Sequence, residues 1–103
     1  MKDYELVCII RPDLSKEVYE EIKEKMSSVI SSNGGKVKSW DVWKEKTKLA
    51  YSLKSRSADK TEYDEAVYTL AEYSLSEDKA ESLGRALDLE ERILRYLAFS
   101  KTR

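Results

Sequence analysis

Lys44, Lys46 and Lys48 stand at every second position of a stretch that also holds Trp40, Trp43 and Tyr51. Alternate residues of an unbroken strand point to one side, so this spacing would line up three ammonium groups able to track phosphates. Trp40 and Trp43, three apart, point to opposite faces of a strand. One then belongs in a core, and the other can stack on a base or a partner side chain. Lysine-rich edges also guard against edge pairing, so the row alone does not demand a ligand.

Catalytic chemistry is poorly supplied by comparison. The 103 residues include no His, which removes the commonest general base and neutral metal ligand together. Cys8 is a lone cysteine in mid-strand, where it serves as a small hydrophobe and can form neither an internal disulfide nor a cysteine-only metal site. Glu20, Glu21 and Glu24 read as helix surface, not as a glycosidase pair. Asn33-Gly34-Gly35 reads as a helix stop, and no Walker or dinucleotide-binding pattern occurs. No enzyme activity, metal or cofactor is expected.

Composition agrees with a binding role. A chain of this length folds as a single domain over 1–103 and buries roughly 60–70% of its unfolded surface. The net charge is only −1, but its distribution is uneven. Residues 36–60 carry eight basic and three acidic groups, residues 61–91 two and ten, and residues 92–103 four and none. A mixed solvated surface would interleave the signs, whereas two basic segments flanking an acidic one offer local fields to a polyanion. There is no 18-residue apolar run and the acidic N-terminus does not resemble a secretory signal. A cytoplasmic protein that binds neither membranes nor a small-molecule substrate is expected.

Six elements position these residues. Tyr4–Ile10 is a first strand, ended by Arg11-Pro12; with Glu5 outward, Val7 and Ile9 share its face and Leu6, Cys8 and Ile10 oppose it. Ser15 caps a helix whose stripe is Val18, Ile22, Met26, Val29 and Ile30. Residues 36–54 are extended with a bulge or bend near Thr47, Arg56–Glu62 is a loop, and Tyr63–Ser74 is a third strand. Glu65 and Glu72 demand opposite faces there, leaving its parity open. Ser76, Glu77 and Asp78 start a second helix with the stripe Ala80, Leu83 and Leu87. Ile93–Phe99 is the last strand; Arg95 outward carries Ile93, Leu97 and Phe99 with it and sends Leu94, Tyr96 and Ala98 inward. The order β-α-β-β-α-β predicts a ferredoxin-like α+β sandwich, a four-stranded antiparallel sheet with both helices on one face. Val7, Ile9, Leu97 and Phe99 then adjoin on the uncovered face, a patch that calls for a protein partner.

Several short motifs resemble one family. Tyr4-Glu5 followed by Arg11-Pro12-Asp13-Leu14, Asn33-Gly34-Gly35, Lys48-Leu49-Ala50-Tyr51 and Leu94-Arg95-Tyr96-Leu97 resemble, in order and over the whole chain, the bacterial small-subunit ribosomal protein S-six family. The resemblance implies a ferredoxin-like fold, no enzymatic activity and no cofactor. It also implies a structural role in the small subunit, bound to small-subunit ribosomal RNA together with a small basic partner, S-eighteen. It points to Lys2, Tyr4, Lys46, Lys48 and Arg95 as RNA-facing, to which the basic segments add Lys44 and Arg92.

Three other classes share the topology. An RNA-recognition module outside the ribosome would carry a Gly-aromatic octamer, whereas Tyr63–Ser74 has no Gly and holds Asp64, Glu65 and Glu72. An acylphosphatase would need a phosphate-cradling loop where Arg11-Pro12-Asp13 offers one Arg and no Gly. A regulatory ligand-binding module would dimerise through its sheet.

Overall fold

The computed structural model describes residues 1–55 and 60–101, so the part of the expected loop formed by residues 56–59 lies outside the described residues. The elements are β1 (Lys2–Ile10), α1 (Lys16–Ser32), β2 (Lys36–Lys54), β3 (Glu62–Leu75), α2 (Ala80–Leu89) and β4 (Ile93–Ser100). They form one antiparallel sheet in the order β2-β3-β1-β4 with both helices on one side, the ferredoxin-like arrangement.

Local chemistry sets the helices. The Ser15 hydroxyl accepts from the Val18 amide at 3.4 Å, and Glu17 lies in the first turn where the dipole favours an acid. Ile22, Met26 and Ile30 are buried from α1, and burial of such side chains stabilises by about 2 kcal/mol each. Gly34, at φ +82°, takes the left-handed residue after the Asn33 cap. α2 begins differently from expectation. A 3-10 turn over Glu77–Lys79 precedes it, and Ser76 donates its hydroxyl hydrogen bond to Asp78 instead of capping backbone amides.

The core lies between helices and sheet. Tyr4, Leu6, Cys8 and Ile10 of β1 meet Trp40, Ala71, Tyr73, Leu75 and Ile93 beneath Ile22, Met26, Ile30, Leu83 and Leu87. Ile93 is a correction to the expected pattern. Ile9 pairs with Arg95 but Ile10 pairs with Ile93, so Leu94 is the extra residue of a bulge and Ile93 turns into the core.

β3 settles its own parity. Thr69, Ala71, Tyr73 and Leu75 face the helices, while Tyr68, Leu70, Glu72 and Ser74 face away. Beyond the Ile10–Val67 pair β1 has ended, and β2 and β3 continue together from Thr47–Ala66 to Lys54–Glu62 as a two-stranded arm. The register slips several times along this hairpin, including between Lys44 and Thr47, where a bend was expected.

Candidate nucleic-acid and protein interface

Residues directly opposed in an antiparallel sheet share a face. The pairing therefore writes the uncovered face as four rows. The first runs Lys44, Tyr68, Ile9, Arg95, with the Trp43 ring set edge-on against Tyr68, and the second runs Asp41, Leu70, Val7, Leu97. Ser39, Glu72, Glu5 and Phe99 form the third, and Lys36, Ser74 and Asp3 the fourth, which Lys38 joins through its ion pair with Asp3 and Lys101 through a backbone hydrogen bond to Asp3. The face grades from aromatic and basic, through apolar, to acidic, and closes with an ion-paired border.

Val7, Ile9, Leu97 and Phe99 lie together on this face, away from both helices. Leu97 is 54% exposed and Phe99 49%. Leu70, which sequence reasoning missed, completes the patch; only the unassigned parity of the third strand hid it. At the border the Lys38 ammonium lies 2.8 Å from Asp3, which also accepts from the Ser74 hydroxyl and is thereby held below its usual carboxylate range. Lys101 pairs with Glu72.

The cations expected to face RNA divide by what each already holds. Arg95 is exposed in the first row and makes no ion pair among the described residues. Lys44 places its ammonium 5.4 Å from the Trp43 ring, and Lys48 lies opposite Glu65 at the root of the arm. Lys46 departs from the expected row. Its φ of +21° breaks the alternation, and it lines a cavity of about 660 Å³ on the helix side together with Lys16 and Lys23. The three lysines do not share one side.

Lys2, Tyr4 and Arg92 are otherwise engaged. Lys2 contacts Glu77 at 2.6 Å on the helix side, which raises its pKa. Tyr4, 8% exposed, stacks on Tyr73 with ring centroids 5.3 Å apart, so its ring belongs to the core and not to an RNA-facing surface. Arg92 grips Glu90 and Glu21, which leaves its guanidinium committed within the protein. The structure therefore does not gather these three with Arg95 into one surface.

Trp40 and Trp43 point to opposite faces as expected. Trp40 is in the core and Trp43 is 55% exposed, its ring edge-on to Tyr68 at 6.3 Å. Cys8 is buried, and burial pushes its thiol up to about 12, where it is inert at neutral pH. Among the described residues no group of His, Cys, Asp and Glu could hold a metal ion, and no helix is long and apolar enough to cross a membrane.

Fold and surface together define a ferredoxin-like domain, with a graded bare sheet face and a two-stranded arm that carries lysines on one strand and carboxylates on the other. The family model described as Ribosomal protein S6 matches residues 3–100, and the chain belongs to that family, whose members are structural and non-catalytic. It is 39% identical over 97 residues to the small ribosomal subunit protein bS6 of Syntrophobacter fumaroxidans, covering 94% of this chain and 60% of that one. With the bS6 of Moorella thermoacetica the identity is 34%, covering 94% and 91%. The crystal structure of 30S ribosomal protein S6 from Thermotoga maritima superposes with a TM-score of 0.79 at 22% identity, over 97% of this chain and 87% of that one. The C-terminal domain of the Mycobacterium tuberculosis MgtC protein shares the fold more loosely, at a TM-score of 0.57 and 14% identity over the same shares. Both structural likenesses concern fold alone.

Proposed function

We propose that this protein is a structural constituent of the small ribosomal subunit that binds small-subunit ribosomal RNA together with a small basic, S-eighteen-like protein. One observation carries the reading: Val7, Ile9, Leu97 and Phe99 form an apolar patch on the face no helix covers, bordered by Glu5 and Glu72. Covering such a patch is favourable at about 25 cal/mol per Å² of apolar surface, and the neighbouring carboxylates favour a positively charged occupant. Lys44, Lys48 and Arg95, with no ion pairs among the described residues, supply phosphate contacts at the opposite end of the face and along the arm. Family membership supports ribosome association as the setting.

The partner contributes much of the positive charge, so RNA binding by this chain alone is weak and tightens when the partner is present. Filter binding to small-subunit RNA across a salt series, with and without a small basic ribosomal protein, tests this. Tighter binding with the partner is the expected result. Unchanged affinity on adding it removes the cooperative mechanism, and no binding under either condition removes the reading.

A further inference from the structure

Trp43 is a large aromatic residue left 55% exposed on the face no helix covers. Scattered apolar residues on a surface are ordinary, but this indole sits where β2 slips register between Val42 and Lys44, and bulges of this kind re-aim side chains. Val42 and Lys44 pair with the successive β3 residues Thr69 and Tyr68, so the intervening Trp43 is turned onto the uncovered face. There the edge-on contact with Tyr68 steadies its ring.

The surroundings are those of a nucleobase site. The Lys44 ammonium lies over the ring, 5.4 Å from its centroid, and Arg95 ends the same row, about 14 Å away across three strand spacings. Neither cation has an ion pair among the described residues, so both can meet phosphates. The carboxylates of Glu5, Glu72 and Asp3 lie two and three rows away, and Glu72 and Asp3 are already paired with Lys101 and Lys38. Asp41, in the adjoining row, and Glu45, next to Lys44 in the chain, are the nearer acids among the described residues.

We propose that Trp43, braced by Tyr68 and contacted by Lys44, is a stacking platform for one unpaired nucleotide of the small-subunit RNA, with Arg95 at the far end of the row meeting a phosphate further along the strand. The inference rests on the RNA-binding reading above and narrows it. Bases inside an A-form helix present no face to a side chain, so the ligand is a looped-out or single-stranded base. Stacking is tolerant of base identity because every base has a π-face, so the site fixes position and adds affinity without reading sequence.

The test is equilibrium binding of the full chain to small-subunit ribosomal RNA over a salt series, with and without the basic partner. Trp43→Ala is expected to weaken RNA binding about five- to 150-fold while leaving the slope of log affinity against log salt unchanged. Trp43→Phe, which keeps a stacking ring, is expected to recover most of the loss. Thermal melting of each variant separates this effect from unfolding. Wild-type affinity in Trp43→Ala overturns the platform and leaves the RNA-binding reading standing. A loss seen only when the partner is present assigns Trp43 to the protein contact and also overturns it. RNA binding absent even from the unaltered chain removes both. Ultraviolet irradiation of the bound complex gives an independent readout: a nucleotide adduct on Trp43 is expected, and an adduct pattern that omits it counts against the site.

Discussion

Arg92 clamps Glu90, two residues before it, through Nε at 2.7 Å and Nη2 at 2.8 Å, one hydrogen bond to each carboxylate oxygen. The Arg92 amide adds a third contact at 3.2 Å, and Lys25 of α1 reaches the same carboxylate at 3.3 Å. Glu90 is only 4% exposed, so this cluster ties α1 to the turn between α2 and β4 from a nearly buried site. The Arg92 hydrogen bonds, against the cost of burial, hold the Glu90 carboxyl at about 2 instead of 4.5.

Acid should therefore find this cluster. A carboxyl whose folded pKa is depressed adds stability that is fully present above its unfolded value. That stability is lost as pH falls from about 4.5 through about 2. The shift corresponds to about 3 kcal/mol. Glu90→Gln is expected to lose about that much at pH 7 and to converge on the parent protein near pH 2. Urea unfolding at pH 7, 4 and 2 measures the gap; a constant difference would show that the carboxylate's charge is not what matters.

The two glycines after α1 should respond differently to the same substitution. A Cβ on Gly35 would lie 2.8 Å from Ile30 and Leu75 side-chain atoms and closer still to the Ser74 carbonyl oxygen, where backbone cannot easily yield. Gly34 has open space around it, but its φ of +82° disfavours any L side chain. Gly34→Ala is expected to cost about 1 kcal/mol and Gly35→Ala about 2–3 kcal/mol. Denaturant midpoints of the two variants check the order, and equal losses would contradict the steric reading of Gly35.

The salt dependence of RNA binding should separate engaged cations from available ones. Each phosphate contact removed lowers the salt slope by about 0.7–0.9. Lys48→Ala and Arg95→Ala are expected to lower it by about that amount, since neither side chain has an ion pair among the described residues. Lys2→Ala and Arg92→Ala are expected to leave it unchanged, because Glu77 in one case and Glu90 with Glu21 in the other already hold the charge. A slope that falls equally for all four would mean that these ion pairs open on binding.

What the sequence made legible was what local alternation and caps determine. Glu5 fixed the parity of β1, and Ser15 with Asn33-Gly34 bounded α1. Long-range pairing hid the rest. Glu65 and Glu72 could not be reconciled on one strand face because Glu65 lies past the end of β1. There the helix-side parity no longer means burial. Ile93 turned inward because a bulge at Leu94 depends on the partner strand, not on the composition of β4. Arg92 looked like a free cation since its second acid, Glu21, stands 71 residues away. Tyr68 and Leu70, the central residues of the bare face, became assignable only once the register of β3 was known.

The partner surface can be probed without disturbing the fold. Leu97 faces Val7 on the uncovered side and is 54% exposed, so a charge placed there stays solvated in the free protein. Leu97→Glu is therefore expected to shift stability by no more than about 0.5 kcal/mol. Beneath a docked partner the same carboxylate would be buried without a designed counter-charge, beside the carboxylates of Glu5 and Glu72 in the next row. Binding of the small basic protein is expected to weaken at least about tenfold. Leu89→Glu, at the exposed end of α2 and off the sheet, serves as the matched control and should bind normally. Calorimetric titration of both variants with the partner decides the matter: equal affinities would move the docking surface away from the β1–β4 side of the sheet.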